Sequence, residues 1–151
     1  MTRGKTLRER ALRLLAGREH SRAELRRKLG AFAASPDELD TLLDELVRAR
    51  LLSDDRYAEA RAHTLSRRYG SMRVAHDLKQ QGVASEALER VVAEARRTDL
   101  ERAREVWRKR FGEAPRNVQD RAKQMRFLQQ RGFAIDVIRS VVRGGDADEL
   151  S

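Results

Sequence analysis

An all-α fold of three tandem three-helix repeats follows from three features of the sequence. Helix start and stop signals recur along the whole chain, strand-like alternation is absent, and similar segments return at spacings near fifty residues. Only two prolines and nine glycines interrupt 151 residues.

The pattern predicts helices over 5–16, 22–30, 36–50, 54–69, 72–81, 86–97, 99–111, 118–131 and 135–143. The first stops at Gly17. The second opens on Ser21-Arg22-Ala23-Glu24, a capping box in which hydroxyl and carboxylate each take an unpaired backbone N–H. The third opens on Ser35-Pro36-Asp37-Glu38, with proline at the first helical position, where its missing N–H costs nothing. Ser53/Asp54, Ser71 and Ser85 are N-caps for the next three, and Thr98-Asp99-Leu100-Glu101 is a third capping box. Gly17, Gly30, Gly70, Gly82, Gly112, Gly132 and Gly144 fall where helices should stop. A carboxylate pair at Asp54-Asp55 reads as a helix N-terminus rather than a metal site.

A shift of fifty residues places Arg73, Leu78, Gly82, Val83, Leu88, Val91 and Val92 on Lys123, Leu128, Gly132, Phe133, Ile138, Val141 and Val142. A shift of forty-two places Arg67-Arg68-Tyr69-Gly70 on Lys109-Arg110-Phe111-Gly112; the difference is an eight-residue insertion, Glu113 to Asp120. A fainter match places Leu25 and Leu29 on Val74 and Leu78. The expected units are residues 1–53, 54–98 and 99–151, the last with a short C-terminal tail. Units this small have marginal cores, so neighbours should pack on one another in an elongated array.

Charge bounds the partner. Lys plus Arg outnumber Asp plus Glu by 33 to 24, and the pI is near 10.9, which favours an acidic partner such as nucleic acid. The excess is spread: 12 cations against 8 acids in 1–53, 9 against 7 in 54–98, and 12 against 9 in 99–151. It therefore belongs to the folded surface rather than to a basic tail. Without cysteine there are no disulfides, thiolate metal sites or cysteine nucleophiles. No apolar run approaches the roughly 18–20 residues that span a bilayer. The opening "MTRGKTLRER" has no apolar core of a secretory signal, so a cytoplasmic protein is expected.

Tyr69 and Phe111, each just before a glycine, read as core aromatics folding back on their own units, and the preceding cations suit the negative end of a helix dipole. On helix 72–81, Val74, Ala75 and Leu78 mark the buried side, so Arg73, His76 and Gln80 lie opposite. Fifty residues later the same outer stripe is Lys123, Arg126 and Gln130, extended by Gln119. Such a stripe reads as a solvated face or as a surface that tracks phosphates or acids, and its recurrence in register favours the second. Arg22, Arg26 and Arg27 form a reserve cationic face on the first repeat. Phe127 departs from its helix's core stripe and is expected on the neighbouring unit or the last helix. Seven aromatics are too few for a base-stacking platform.

No acid, base and nucleophile assemble. His20, His63 and His76 have no ligand spacing, and the metalloprotease, nucleophile-elbow, P-loop and dinucleotide motifs are all missing. The expectation is no enzyme, no cofactor and no metal.

At "ALRLLAGREHSRAELRRKL" (11–29), "LLSDDRYAEARAHTLSRRYGSMRVAHDLKQQGV" (51–83) and "KQMRFLQQRGFAIDVI" (123–138) the chain resembles the RecX family, bacterial regulators of the RecA recombinase. The resemblance covers about residues 5–143. It implies a curved array of three repeats lying, as a monomer, in the groove of the RecA–single-stranded-DNA filament, contacting both and mostly inhibiting recombinase activity in homologous recombination and DNA repair, with a link to the SOS response. Binding to DNA would be non-sequence-specific and weaker to double strands. Two rivals stand beside it: a free-standing DNA-binding protein of tandem helix-turn-helix-like units, and a scaffold that binds protein alone.

Overall fold

The computed structural model describes residues 4–143. These residues form α1 (Leu7–Gly17), α2 (Arg22–Leu29), a 3₁₀ turn (Gly30–Phe32), α3 (Pro36–Arg48), α4 (Asp54–Ser66), α5 (Ser71–Gln80), α6 (Ser85–Arg97), α7 (Asp99–Arg110), α8 (Val118–Gln130) and α9 (Ile135–Val141), with no strand among them. The fold is all-α, in tandem three-helix repeats. Each predicted helix is present with its ends within three residues of expectation. Gly144 lies outside the described residues.

Local signals explain most boundaries. Thr6, Ser21, Ser35 and Asn117 each accept a hydrogen bond from the backbone N–H three residues on. The capping boxes are looser than predicted. Glu24 turns its carboxylate to Arg18 and Lys28, and Glu38 accepts from the Ala34 N–H. Thr98 caps nothing; its hydroxyl donates to the Ala95 carbonyl. The glycines divide by task. Gly82, Gly112 and Gly132 take the positive φ of a helix stop, whereas Gly17 ends α1 and Gly30 opens the 3₁₀ turn. The matching turn after α3 is made by Arg50, a non-glycine at φ 60.

The chain divides into two compact units, one of residues up to Arg61 with Leu78–Leu88, the other of Ala62–Asp77 with the residues from Glu89 onward. In the first, Ala11, Leu25, Leu29, Leu39, Leu42, Leu43, Leu46 and Leu52 form the core. In the second, Ala103, Leu128, Phe133, Ile138, Val141 and Val142 do so, with Trp107, Met125 and Phe127 packed against them. Each fully buried Leu, Ile or Phe side chain contributes about 1.5–3 kcal/mol over an exposed one.

Both units use one docking device: an aspartate at the start of one repeat's first helix caps the preceding repeat's second helix. In the first unit, Asp54 accepts from the Arg22 N–H and the Ala84 N–H, both at 2.8 Å, and Ser21 donates to the Gln81 carbonyl. In the second, Asp99, 3 % exposed, accepts from the Ser71 N–H at 3.0 Å and from the Ser71 hydroxyl. Backbone glycines seal the contact. A Cβ on Gly82 would lie 2.6 Å from that of Ala23, and a Cβ on Gly70 would lie 2.6 Å from the Phe133 ring. Gly70 is thus required for close approach rather than for a left-handed stop.

Gln124 stands where the middle repeat has the apolar Val74. Buried, it accepts from the Trp107 indole N–H at 2.8 Å and donates to the Glu113 carbonyl at 3.1 Å, tying the inserted segment to α7 and α8. Among the described residues no buried side-chain polar atom lacks a partner.

His20 is also buried, not a surface residue. Its Nδ1 faces the Arg18 carbonyl at 3.1 Å and its Nε2 faces the Lys28 ammonium at 3.0 Å, which suits a neutral ring donating from Nδ1 and accepting at Nε2. Burial pushes its pKa below the ordinary 6.5. The hydrogen bond from Arg18 holds Glu24 below the ordinary 4.5. The unfolded chain therefore takes up both protons first, so this stability is whole above each ordinary value and is lost as pH falls below it. Denaturant midpoints should fall first as pH drops below about 6.5, through His20, and again below about 4.5, through Glu24. A His20→Gln variant, starting less stable, should show a flatter profile over the first interval; an unchanged slope would remove His20 as the cause.

Candidate nucleic-acid interface

Val74 and Leu78 are fully buried on α5, and Leu128 is fully buried on α8. Helical geometry therefore sends Arg73, His76 and Gln80 outward on one helix, and Gln119, Lys123, Arg126 and Gln130 outward on the other; all seven are exposed. Arg73, Lys123 and Arg126 have no carboxylate partner among the described residues. Lys123 and Gln119 also line an open hollow of about 480 Å³ walled by Phe111, Arg116, Asn117 and Gln124.

The reserve face on the first repeat is different. Arg22 pairs with Asp44 at 2.8 Å and reaches Asp40 at 4.0 Å, and Arg26 pairs with Asp40. Arg27 is exposed and meets the Gln81 side chain at 3.4 Å. The acids of α3 answer two of these three cations, so the unneutralised stripe is the one on α5 and α8.

The phrase Arg67-Arg68-Tyr69-Gly70 lies just past the end of α4 at Ser66, with the Arg68 and Tyr69 N–H groups donating to the Leu65 carbonyl. Tyr69 and Phe111 are half-buried, not core. Tyr69 carries the guanidinium carbons of Arg73, Arg131 and Arg68 at 4.8, 5.6 and 5.8 Å from its ring centre. Phe111 meets Phe127 edge-on, centroids 5.4 Å apart at 87°. Arg110 stands 5.5 Å from Phe111 and 5.6 Å from Phe127, and Arg131 stands 5.1 Å from Phe127. Phe127 therefore packs within its own repeat, and cations alternate with rings from Arg110 to Arg73.

Arg68, Arg110 and Arg131 were not among the expected contacts. The signal was present: Arg131 stands four residues after Phe127, on the same helical face, and Arg68 and Arg110 each precede a repeated aromatic. Below the rings, Arg102 is held by Asp99 and by the carbonyls of Ser66, Tyr69 and Ala95. Burial lowers its pKa while Asp99 raises it.

Family models for the first, second and third three-helix domains of RecX match residues 8–46, 53–92 and 98–142. The chain belongs to the RecX family. The Regulatory protein RecX of Chromobacterium violaceum is 45 % identical over 147 residues, covering 97 % of this chain and 95 % of that one. That of Leptothrix cholodnii is 43 % identical over 141 residues, covering 93 % and 90 %. The crystal structure of RecX from Lactobacillus salivarius shares the fold, with a TM-score of 0.78 at 18 % identity over 96 % of both chains. The Chromobacterium and Leptothrix relatives are named as regulatory proteins. Among the described residues, no helix is long and apolar enough to cross a membrane.

Proposed function

We propose that this chain binds the RecA filament on single-stranded DNA and restrains recombinase activity through the outward stripes of α5 and α8. The observation that carries the reading is the recurrence of the same donors in register, Arg73 with Lys123 and Arg126, all unneutralised and all in one compact unit. A filament offers phosphates and acidic side chains along a helical path. Repeats that each present cations engage such a path at several points, and linkage raises the effective concentration of every contact after the first.

The deciding measurement is ATP hydrolysis and filament length when the protein is added to RecA on single-stranded DNA. Lys123→Glu together with Arg126→Glu should abolish inhibition while leaving the melting temperature nearly unchanged, because both side chains are exposed. Binding to DNA alone should be weak and indifferent to sequence, with log K falling linearly against log salt. Undiminished inhibition by the double variant would reduce the stripe to a solvated face.

A further inference from the structure

Several arginines elsewhere on the molecule answer acids: Arg8 with Glu45, Arg18 with Glu24, Arg22 with Asp44, Arg56 with Glu19, Arg102 with Asp99. Arg68, Arg73, Arg110 and Arg131 do not. Among the described residues none of the four has a carboxylate partner, and all four stand within 6 Å of a ring centre. A guanidinium laid against a ring has its flat face occupied, while its N–H groups point out of the edge in the plane of the fork. The rings hold the four guanidinium groups nearby without taking up their N–H donors in hydrogen bonds to an acid.

We propose that these four arginines, set beside Tyr69, Phe111 and Phe127, form a track of forks that grips successive phosphates of a single nucleic-acid strand. The inference rests on the nucleic-acid reading above and says which residues supply its strongest contacts. Bidentate pairing of a guanidinium with a phosphate is stronger and more directional than the point charge of an ammonium. Holding the fork in place beforehand lowers the ordering cost of binding. A flexible strand can rotate its phosphates to meet forks whose positions are set by helix ends, whereas duplex phosphates have fixed places. The repeated Arg-aromatic-Gly phrase is then both the end of a helical segment and a grip.

The test is anisotropy of a fluorescein-labelled oligothymidylate, and of the matching duplex, titrated with full-length protein. Arg110→Lys with Arg131→Lys preserves net charge, and should weaken single-strand binding about tenfold. The corresponding Gln pair should weaken it further and reduce the log–log salt slope by about 0.7 for each phosphate contact removed. Tyr69→Phe should bind as the parent does, whereas Tyr69→Leu should bind less tightly although no charge has changed. A Lys pair that binds like the parent overturns the proposal, since charge alone would then suffice. Equal weakening toward the duplex overturns the choice of a single strand. If the Lys pair is silent while the Lys123/Arg126 reversal abolishes inhibition of RecA, the functional reading stands and this inference falls. If both are silent, both fall.

Discussion

Gly132→Ala should destabilise the second unit by roughly 3 kcal/mol or more, lowering its melting temperature by roughly 6–12 °C. Two costs add. Gly132 holds φ +90, where an L side chain is strained by about 1–3 kcal/mol. Its new Cβ would also lie 2.7 Å from the Arg73 backbone nitrogen and against the Arg73 Cβ. Neither neighbour is the free end of a side chain. Both are pinned by the backbone pairing of the two turns, in which the Gly70 N–H donates to the Arg131 carbonyl at 2.8 Å and the Met72 N–H to the Gly132 carbonyl at 3.1 Å. Two controls isolate the causes. Gly112→Ala shares the left-handed backbone, at φ +72, but its nearest contact is 3.3 Å away, so it should lose about 1 kcal/mol. Gly17→Ala, in open space at the end of α1, should be neutral or gain up to about 1 kcal/mol. Denaturant melts of the three variants decide it, and a Gly132 loss no larger than that of Gly112 would mean the close approach is dispensable.

Asp99→Ala should cost roughly 3–5 kcal/mol, the usual result of removing one partner of a buried pair. The carboxylate is 3 % exposed and satisfies the Ser71 N–H, the Ser71 hydroxyl and Arg102 together. Without it Arg102, whose side chain is 17 % exposed, keeps its carbonyl partners but loses the only opposite charge that it pairs with among the described residues. Asp54 performs the same capping in the first unit from a half-buried position, so Asp54→Ala should cost only about 1–2 kcal/mol. A double-mutant cycle with Arg102→Ala should return a coupling energy above about 1 kcal/mol. Equal losses from Asp99→Ala and Asp54→Ala would show that burial adds nothing to the cap.

The helices were legible because their signals are local. Ser21, Ser35 and the Leu39–Leu46 stripe speak within a few residues of themselves. The outward stripes were legible for the same reason, since Leu78 and Leu128 fix the opposite face by helical arithmetic. What the sequence hid was whatever a distant residue decides. Asp99 reads as a capping residue of its own helix, yet its carboxylate serves Ser71, twenty-eight positions earlier. Arg22 and Arg26 read as open cations until α3 brings Asp40 and Asp44 beside them. Tyr69 reads as core because nothing local announces that Arg131 stands over its ring, and Phe111 because nothing local brings Phe127 edge-on against it. Gly70 reads as a helix stop, and only the nearness of Gly132 and Phe133 shows why a side chain is excluded there.

The two compact units cut across the internal repetition, which has a consequence for how such a chain can change length. The stretch from Ala62 to Asp77 belongs with the third copy, and Leu78 to Leu88 with the first. Duplication acts on the copy, but folding acts on a block staggered against it. A gene that lost its last copy at residue 98 would therefore encode a middle copy with the Ser71 turn uncapped, and a gene that gained one would need the new copy to carry its own Asp99. Drift in the number of copies is thus penalised at the junctions, before any partner is consulted.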